Sequence, residues 1–229
     1  MKKRHGLQNR GKMKQFKDKT TLNQELCKDI VAVLKNAISD KGNATILLSG
    51  GSSPAELYRL LSQEELDWTN VTVGLVDERF IDAESEFSNE RLIKTTLIQN
   101  NAIGLKFIPM VTKLENEEEN QKDLQHSYSV FNKSDCVLLG MGTDGHTASI
   151  FPNDSDSEKA ILAESPIFTN APVYPNRRIT CTVPLLKSAS NLFLLITGKE
   201  KLTVLESAKE RQLPIAHFIE NPIQIYYAD

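Results

Sequence analysis

Short apolar runs recur along this chain, and between them the apolar residues fall at helical spacing, an alternation that few folds accept. The runs are Ala44 to Leu48, Val71 to Val76, Phe107-Ile108, Cys136 to Leu139, Ile179 to Val183, Leu192 to Ile196 and Ile223 to Tyr227. Runs of this kind lack an exposed polar face, so they read as parallel strands covered on both sides. The intervening segments read as helices. Leu22, Leu26, Ile30, Val33, Leu34, Ala37 and Ile38 recur at three and four residues, and Lys41-Gly42-Asn43 stops them. Further helices are predicted from Pro54, from Ser88 to about Ile98, across the charged stretch Leu114 to Phe131, and from Lys199. The expected fold is α/β: a mostly parallel sheet with helices on both faces, a Rossmann-like three-layer sandwich. Ligands of such folds sit beyond the carboxyl ends of the strands.

With 229 residues, 40% of them apolar and 25% charged, the chain can build one large core, and residues 20–229 are expected to form a single α/β domain. The longest uncharged run, Gly42 to Ala55, covers 14 positions and contains three Gly and a Pro. It is too short to span a bilayer, which takes about 20 apolar residues. Between Pro152 and Arg177 three further prolines and several Asn, Asp and Ser predict a surface excursion or a lid.

The net charge of −3 is unevenly spread, because residues 1 to 20 carry eight Lys or Arg against Asp18 alone. The rest of the chain is therefore acidic, at −10, which argues against a nucleic-acid surface. Residues 1–19 lack the apolar segment of a secretory signal and read as a basic, flexible tail, with Met13 an alternative start. Cys27, Cys136 and Cys181 are far apart among apolar neighbours and are expected to be buried thiols in a reducing compartment, the cytoplasm. No Cys or His pair has metal-ligand spacing, so no metal is expected.

Four segments hold the candidate chemistry. Ser49-Gly50-Gly51-Ser52-Ser53-Pro54-Ala55-Glu56 follows a strand and opens a helix; Ser53 is the expected N-cap, Pro54 the first helical residue and Glu56 the partner in a capping box. Its glycines let backbone N–H groups approach an anion at a helix N-terminus, although the segment reads equally as a tight turn with no ligand. Gly140-Met141-Gly142-Thr143-Asp144-Gly145-His146 matches the spacing of a dinucleotide-binding loop. Pro152 interrupts the crossover helix that such a loop requires, which leaves a sharp turn presenting Asp144 and His146. Asp77-Glu78-Arg79 ends a strand, where three charges are costly to bury and should face a crevice or solvent. Arg177-Arg178 and Gly198-Lys199-Glu200-Lys201 place cations at strand ends, as a phosphate pocket or as surface charge.

Together these motifs resemble the 6-phosphogluconolactonase family, within the larger group that includes glucosamine-6-phosphate isomerases. The most specific stretch is Leu139 to Pro152, supported by Ser49 to Pro54, Asp77-Glu78-Arg79 with Ser88-Asn89, Arg178-Ile179-Thr180, and Gly198 with Lys201. The resemblance covers the chain from about residue 20 onward. It implies cofactor-free hydrolysis of a small molecule, the phosphorylated sugar lactone 6-phospho-D-glucono-1,5-lactone; a monomer or homodimer is expected, with neither nucleic acid nor membrane as partner. By that resemblance His146 is the general base and Asp144 orients it or holds the sugar. The phosphate rests on Gly51 and Ser52 with Arg178 and Lys201 as counter-charges, Ser49 and Gly50 are further substrate-binding residues of that loop, and Asp77 and Arg79 line the same crevice. The isomerases carry an Asn-Glu-Pro after their Asp-Gly-His and a Tyr at the position of Arg79. Here Thr147 to Pro152 contains no carboxylate, which favours the lactonase over the isomerase alternative. A sugar-phosphate sensor on the same fold is expected to lack His146 or Asp144 and to carry a DNA-binding module.

Overall fold

The computed structural model describes residues 13–220 and 222–229. The chain opens with β1 (Met13–Phe16) and α1 (Lys19–Lys41). The apolar stripe of α1, from Leu22 through Leu26 and Ile30 to Leu34, is buried. Asp18 caps this helix by accepting from the Thr21 N–H at 2.7 Å, and Gly42 ends it with φ of 82°. Then follow β2 (Ala44–Leu48), α2 (Ala55–Gln63), β3 (Val71–Leu75), β4 (Asp77–Arg79), α3 (Asn89–Thr96), β5 (Lys106–Phe107), α4 (Glu117–Ser127) and β6 (Cys136–Leu139). The last third holds α5 (Ser155–Lys159), β7 (Ile167–Asn170), β8 (Arg177–Thr180), α6 (Val183–Lys187), β9 (Asn191–Thr197), α7 (Lys199–Ser207), α8 (Ala216–Ile219) and β10 (Ile223–Ala228).

Seven strands form one sheet in the order β1-β10-β9-β6-β2-β3-β5, and every neighbouring pair is parallel. At its centre β2 and β6 are buried at every position, which accounts for their unbroken apolar sequences. From β2 the chain steps outward through β3 to β5; from β6 it steps the other way through β9 to β10. Right-handed crossovers in opposite directions put α2 and α6 on opposite faces, giving three layers. The reversal leaves a crevice beyond the carboxyl ends of β2 and β6, and both glycine-rich loops leave the sheet there.

Several expectations need correction. Residues 1–19 are expected to be a flexible tail, yet Met13–Phe16 is the edge strand β1, paired in register with Ile225 to Ala228. Its hold on the body is local chemistry: Phe16 stacks on Tyr226 with centroids 5.8 Å apart, and Lys14 pairs with Asp29 at 2.5 Å. Residues 1–12 of that tail lie outside the described residues, and Asp18 and Lys19 belong to the start of α1. Ile179 to Val183 is not one strand of the main sheet, because β8 stops at Thr180 and Val183 begins α6. Asp77-Glu78-Arg79 is itself a strand, and β4, β8 and β7 form a second, antiparallel sheet in that order. That sheet and α5 occupy much of the segment expected to wander between Pro152 and Arg177. Among the described residues no helix is long and apolar enough to cross a membrane.

Candidate active site

The loop after β6 is built around its own histidine. Gly142 N–H donates to the His146 carbonyl at 2.9 Å, Gly145 N–H to the Gly142 carbonyl at 3.1 Å, and Thr147 Oγ1 to the Gly140 carbonyl at 2.8 Å. A Cβ at Gly142 would lie 2.3 Å from the His146 ring and 2.6 Å from Asp144 Oδ1, so only glycine leaves room for this pair. His146 Nδ1 sits 2.6 Å from Asp144 Oδ1, which also accepts the His146 backbone N–H at 3.1 Å. Burial opposes ionisation of Asp144, but the hydrogen bond and charge of His146 outweigh it, and the carboxyl lies below its ordinary range. An ionised carboxylate can only accept, so Nδ1 carries a proton, and in the neutral ring it is Nε2 that offers a lone pair. His146 lines a cleft of about 360 Å³; Asp144 lies outside the lining and meets the cleft through His146.

The opposite wall comes from the loop after β2. Gly51 adopts φ of +85°, a conformation that favours glycine, and the backbone N–H groups of Gly50, Gly51, Ser52 and Ser53 donate to no protein group among the described residues. Here the expected capping box fails. The helix begins one residue later than predicted, with Pro54 at the N-cap and no side-chain cap. The Pro54 carbonyl takes the first helical bond, from Tyr58 N–H at 3.0 Å, while Ser53 belongs to the preceding turn. The uncapped donors therefore stay free at the cleft, where the dipole of α2 favours an anion.

Three cations complete it. Arg79 and Arg178 are register partners across β4 and β8, and Lys201 stands in the first turn of α7. All three line the cleft, and none forms an ion pair among the described residues. Arg178 is 6% exposed; burial, reinforced by the neighbouring Arg79 charge, pulls it below its ordinary range. Burial likewise lowers Lys201. Arg79 Nε is buried without a partner, and its Nη1 donates to the Phe87 carbonyl. Asp77 and Glu78 offset part of this charge at a distance, but neither pairs directly with a guanidinium, so the two arginines remain open to an anion. Arg177, one residue from Arg178, points to the other face of β8 and grips Glu117 at 2.9 and 2.5 Å.

Ser49, Gly50, Gly51, Ser52, Asp77, Arg79, His146, Arg178 and Lys201 thus meet in one cleft. Asp77 accepts from Ser149 Oγ, while Glu78 turns away to the N-terminus of α3. Asn89 was not singled out as a site residue, though Ser88-Asn89 belongs to the motif set. Its Nδ2 donates to the Asp77 carbonyl at 2.9 Å, and its amide lies so close to Gly50 that a Cβ there would be 1.9 Å from Oδ1. Phe151 and Val173 also line the cleft. Val173 carried no signal, being an apolar residue in a stretch read as a loop.

The profile described as glucosamine-6-phosphate isomerases/6-phosphogluconolactonase matches residues 17–226. The chain belongs to this family. A 6-phosphogluconolactonase of Rhizobium meliloti is 38% identical over 93% of this chain and 97% of its own. One of Pseudomonas putida is 34% identical, over 94% and 92%. Among solved structures, a 6-phosphogluconolactonase from Shewanella baltica superposes with a TM-score of 0.90 at 33% identity, covering 95% of this chain and 97% of that one. The family's fold and this chain's three-layer architecture are the same.

Proposed function

We propose that this chain hydrolyses 6-phospho-D-glucono-1,5-lactone to 6-phospho-D-gluconate. The observation that carries the reading is the convergence of a carboxylate-oriented imidazole and three unpaired cations on one cleft. The similarity to 6-phosphogluconolactonases supports it. His146 Nε2 takes a proton from water as the water oxygen bonds to the lactone carbonyl carbon. Asp144 steadies the imidazolium, which then protonates the ring oxygen as its bond to that carbon breaks; one water is added and the imidazole is regenerated. The phosphate binds the free N–H groups of Gly51 and Ser52 and the Ser52 hydroxyl, with Ser49 and Gly50 shaping the loop and Arg178 and Lys201 supplying charge. Asp77 and Arg79 hold sugar hydroxyls or phosphate. Buried, unbridged Cys27, Cys136 and Cys181 suit a reducing compartment, and we place the reaction in the cytoplasm, in a monomer or homodimer whose partner is this small molecule. The isomerase alternative lacks its carboxylate, since Thr147 to Pro152 contains no Asp or Glu.

The test is turnover of freshly generated lactone beside glucosamine 6-phosphate. Lactone hydrolysis well above the spontaneous rate is expected, falling about 10²- to 10⁴-fold in His146→Ala. Turnover of the amino sugar alone overturns the assignment, and unchanged lactone turnover in the variant removes His146 from it.

A further inference from the structure

Phe151 lies with its ring beside both the imidazole and a cation of the cleft. Its ring centroid is 4.8 Å from that of the His146 imidazole, with the planes tilted by 40°, and the Arg178 guanidinium carbon is 6.0 Å from it. The residue is 7% exposed and lines the cleft. Its backbone N–H donates to Ser157 Oγ at 2.8 Å, and Ser157 is in turn tied to Asp154 Oδ2 by its own N–H and hydroxyl. A ring with two torsions, anchored on both main-chain and side-chain sides, is a stiff spacer.

We infer that Phe151 is a positioning residue that sets the distance between the imidazole acting at the ester and the cation holding the phosphate. This rests on the reading of the cleft given above and deepens it. The negative face of an aromatic ring attracts the guanidinium and any positive charge that develops on the imidazole, so one side chain holds both groups. A spacer matters only to a ligand that spans both ends. A ligand occupying the phosphate end alone is indifferent to it, whereas misplacement by about 1 Å can cost a two-ended substrate on the order of 100-fold.

The experiment compares a spanning ligand with a one-ended one. Binding of 6-phosphogluconate and of inorganic phosphate is measured by calorimetry on the whole chain, wild type and Phe151→Leu, together with kcat and KM for the lactone. In Phe151→Leu the 6-phosphogluconate Kd is expected to rise on the order of 10-fold and kcat to fall 10- to 100-fold, with phosphate affinity within about 3-fold of wild type. Phe151→Tyr, which keeps the ring, is expected to retain the wild-type ratio, and Phe151→Met serves where the Leu variant does not fold. Equal weakening of both ligands makes Phe151 part of the phosphate site or of the fold alone, and unchanged values for both remove it; either result overturns the inference. A wild-type chain that binds 6-phosphogluconate more tightly than phosphate but does not turn over the lactone sinks the lactonase reading and leaves the spacer testable by binding.

Discussion

Arg177 and Arg178 are identical in type and adjacent in sequence, yet strand alternation gives them opposite work. Arg177 makes a bidentate pair with Glu117 and lies over the Phe168 ring at 4.8 Å, which ties the N-terminus of α4 to the small sheet. Arg178 donates through Nε to the Pro175 carbonyl at 2.7 Å and faces the cleft without an ion-pair partner among the described residues. Arg178→Ala is expected to weaken 6-phosphogluconate by about 1.5–3 kcal/mol, the range of a hydrogen bond to a charged group, with little loss of stability. Arg177→Ala is expected to leave that affinity within about 3-fold while lowering the melting temperature. Titration calorimetry beside thermal unfolding of the two variants decides it, and the reverse pattern would show that the pocket faces the other side of β8.

At the scale of elements, α3 starts on a buried carboxylate. Glu78, 2% exposed, accepts the backbone N–H groups of Asn89 and Glu90 at 2.8 and 2.7 Å, that of Arg79 at 2.6 Å and the Ser88 hydroxyl at 3.1 Å. Burial nevertheless outweighs these donors and, with the charge of Asp77, pushes its carboxyl up to about 7. A folded-state value above the unfolded one, near 4.3, means that folding takes up a proton, so this residue's contribution falls as pH rises between those values. Relative to Glu78→Gln, which cannot titrate, the wild type should lose up to roughly 3 kcal/mol of stability between pH 5 and pH 8. Urea unfolding of both proteins across that range is the check, with parallel curves counting against it. The same strand carries Asp77 and Arg79 into the cleft, so the buried anchor of α3 also fixes two candidate site residues.

At the scale of the molecule, the cleft belongs to the middle of the sheet and β1 to its edge. A chain beginning at Lys17 loses β1, with its Phe16 stack and Lys14 pair, relative to one beginning at Met13. Its melting temperature is expected to be lower by on the order of 5 °C, at about 2–4 °C per kcal/mol for a chain of this size. Affinity for 6-phosphogluconate should stay the same, because β10, β9 and β6 intervene before the crevice. Calorimetric melting with and without the ligand measures both. The alternation of apolar runs with helical patterning was enough, by itself, to determine a covered parallel sheet, and the bounds of β2 and β6 could be read to the residue. A run with no polar alternation has nowhere to go but the interior. The two glycine-rich loops, and the pairing of His146 with Asp144, were equally legible, since their residues are neighbours in the chain. What only tertiary structure decided is long-range: which sheet receives Asp77 to Arg79, that Met13–Phe16 completes an edge, and which arginine turns inward. Those outcomes depend on strand partners about a hundred residues away or more, such as Arg79 with Arg178 or Met13 with Ile225, and no local pattern encodes a partner.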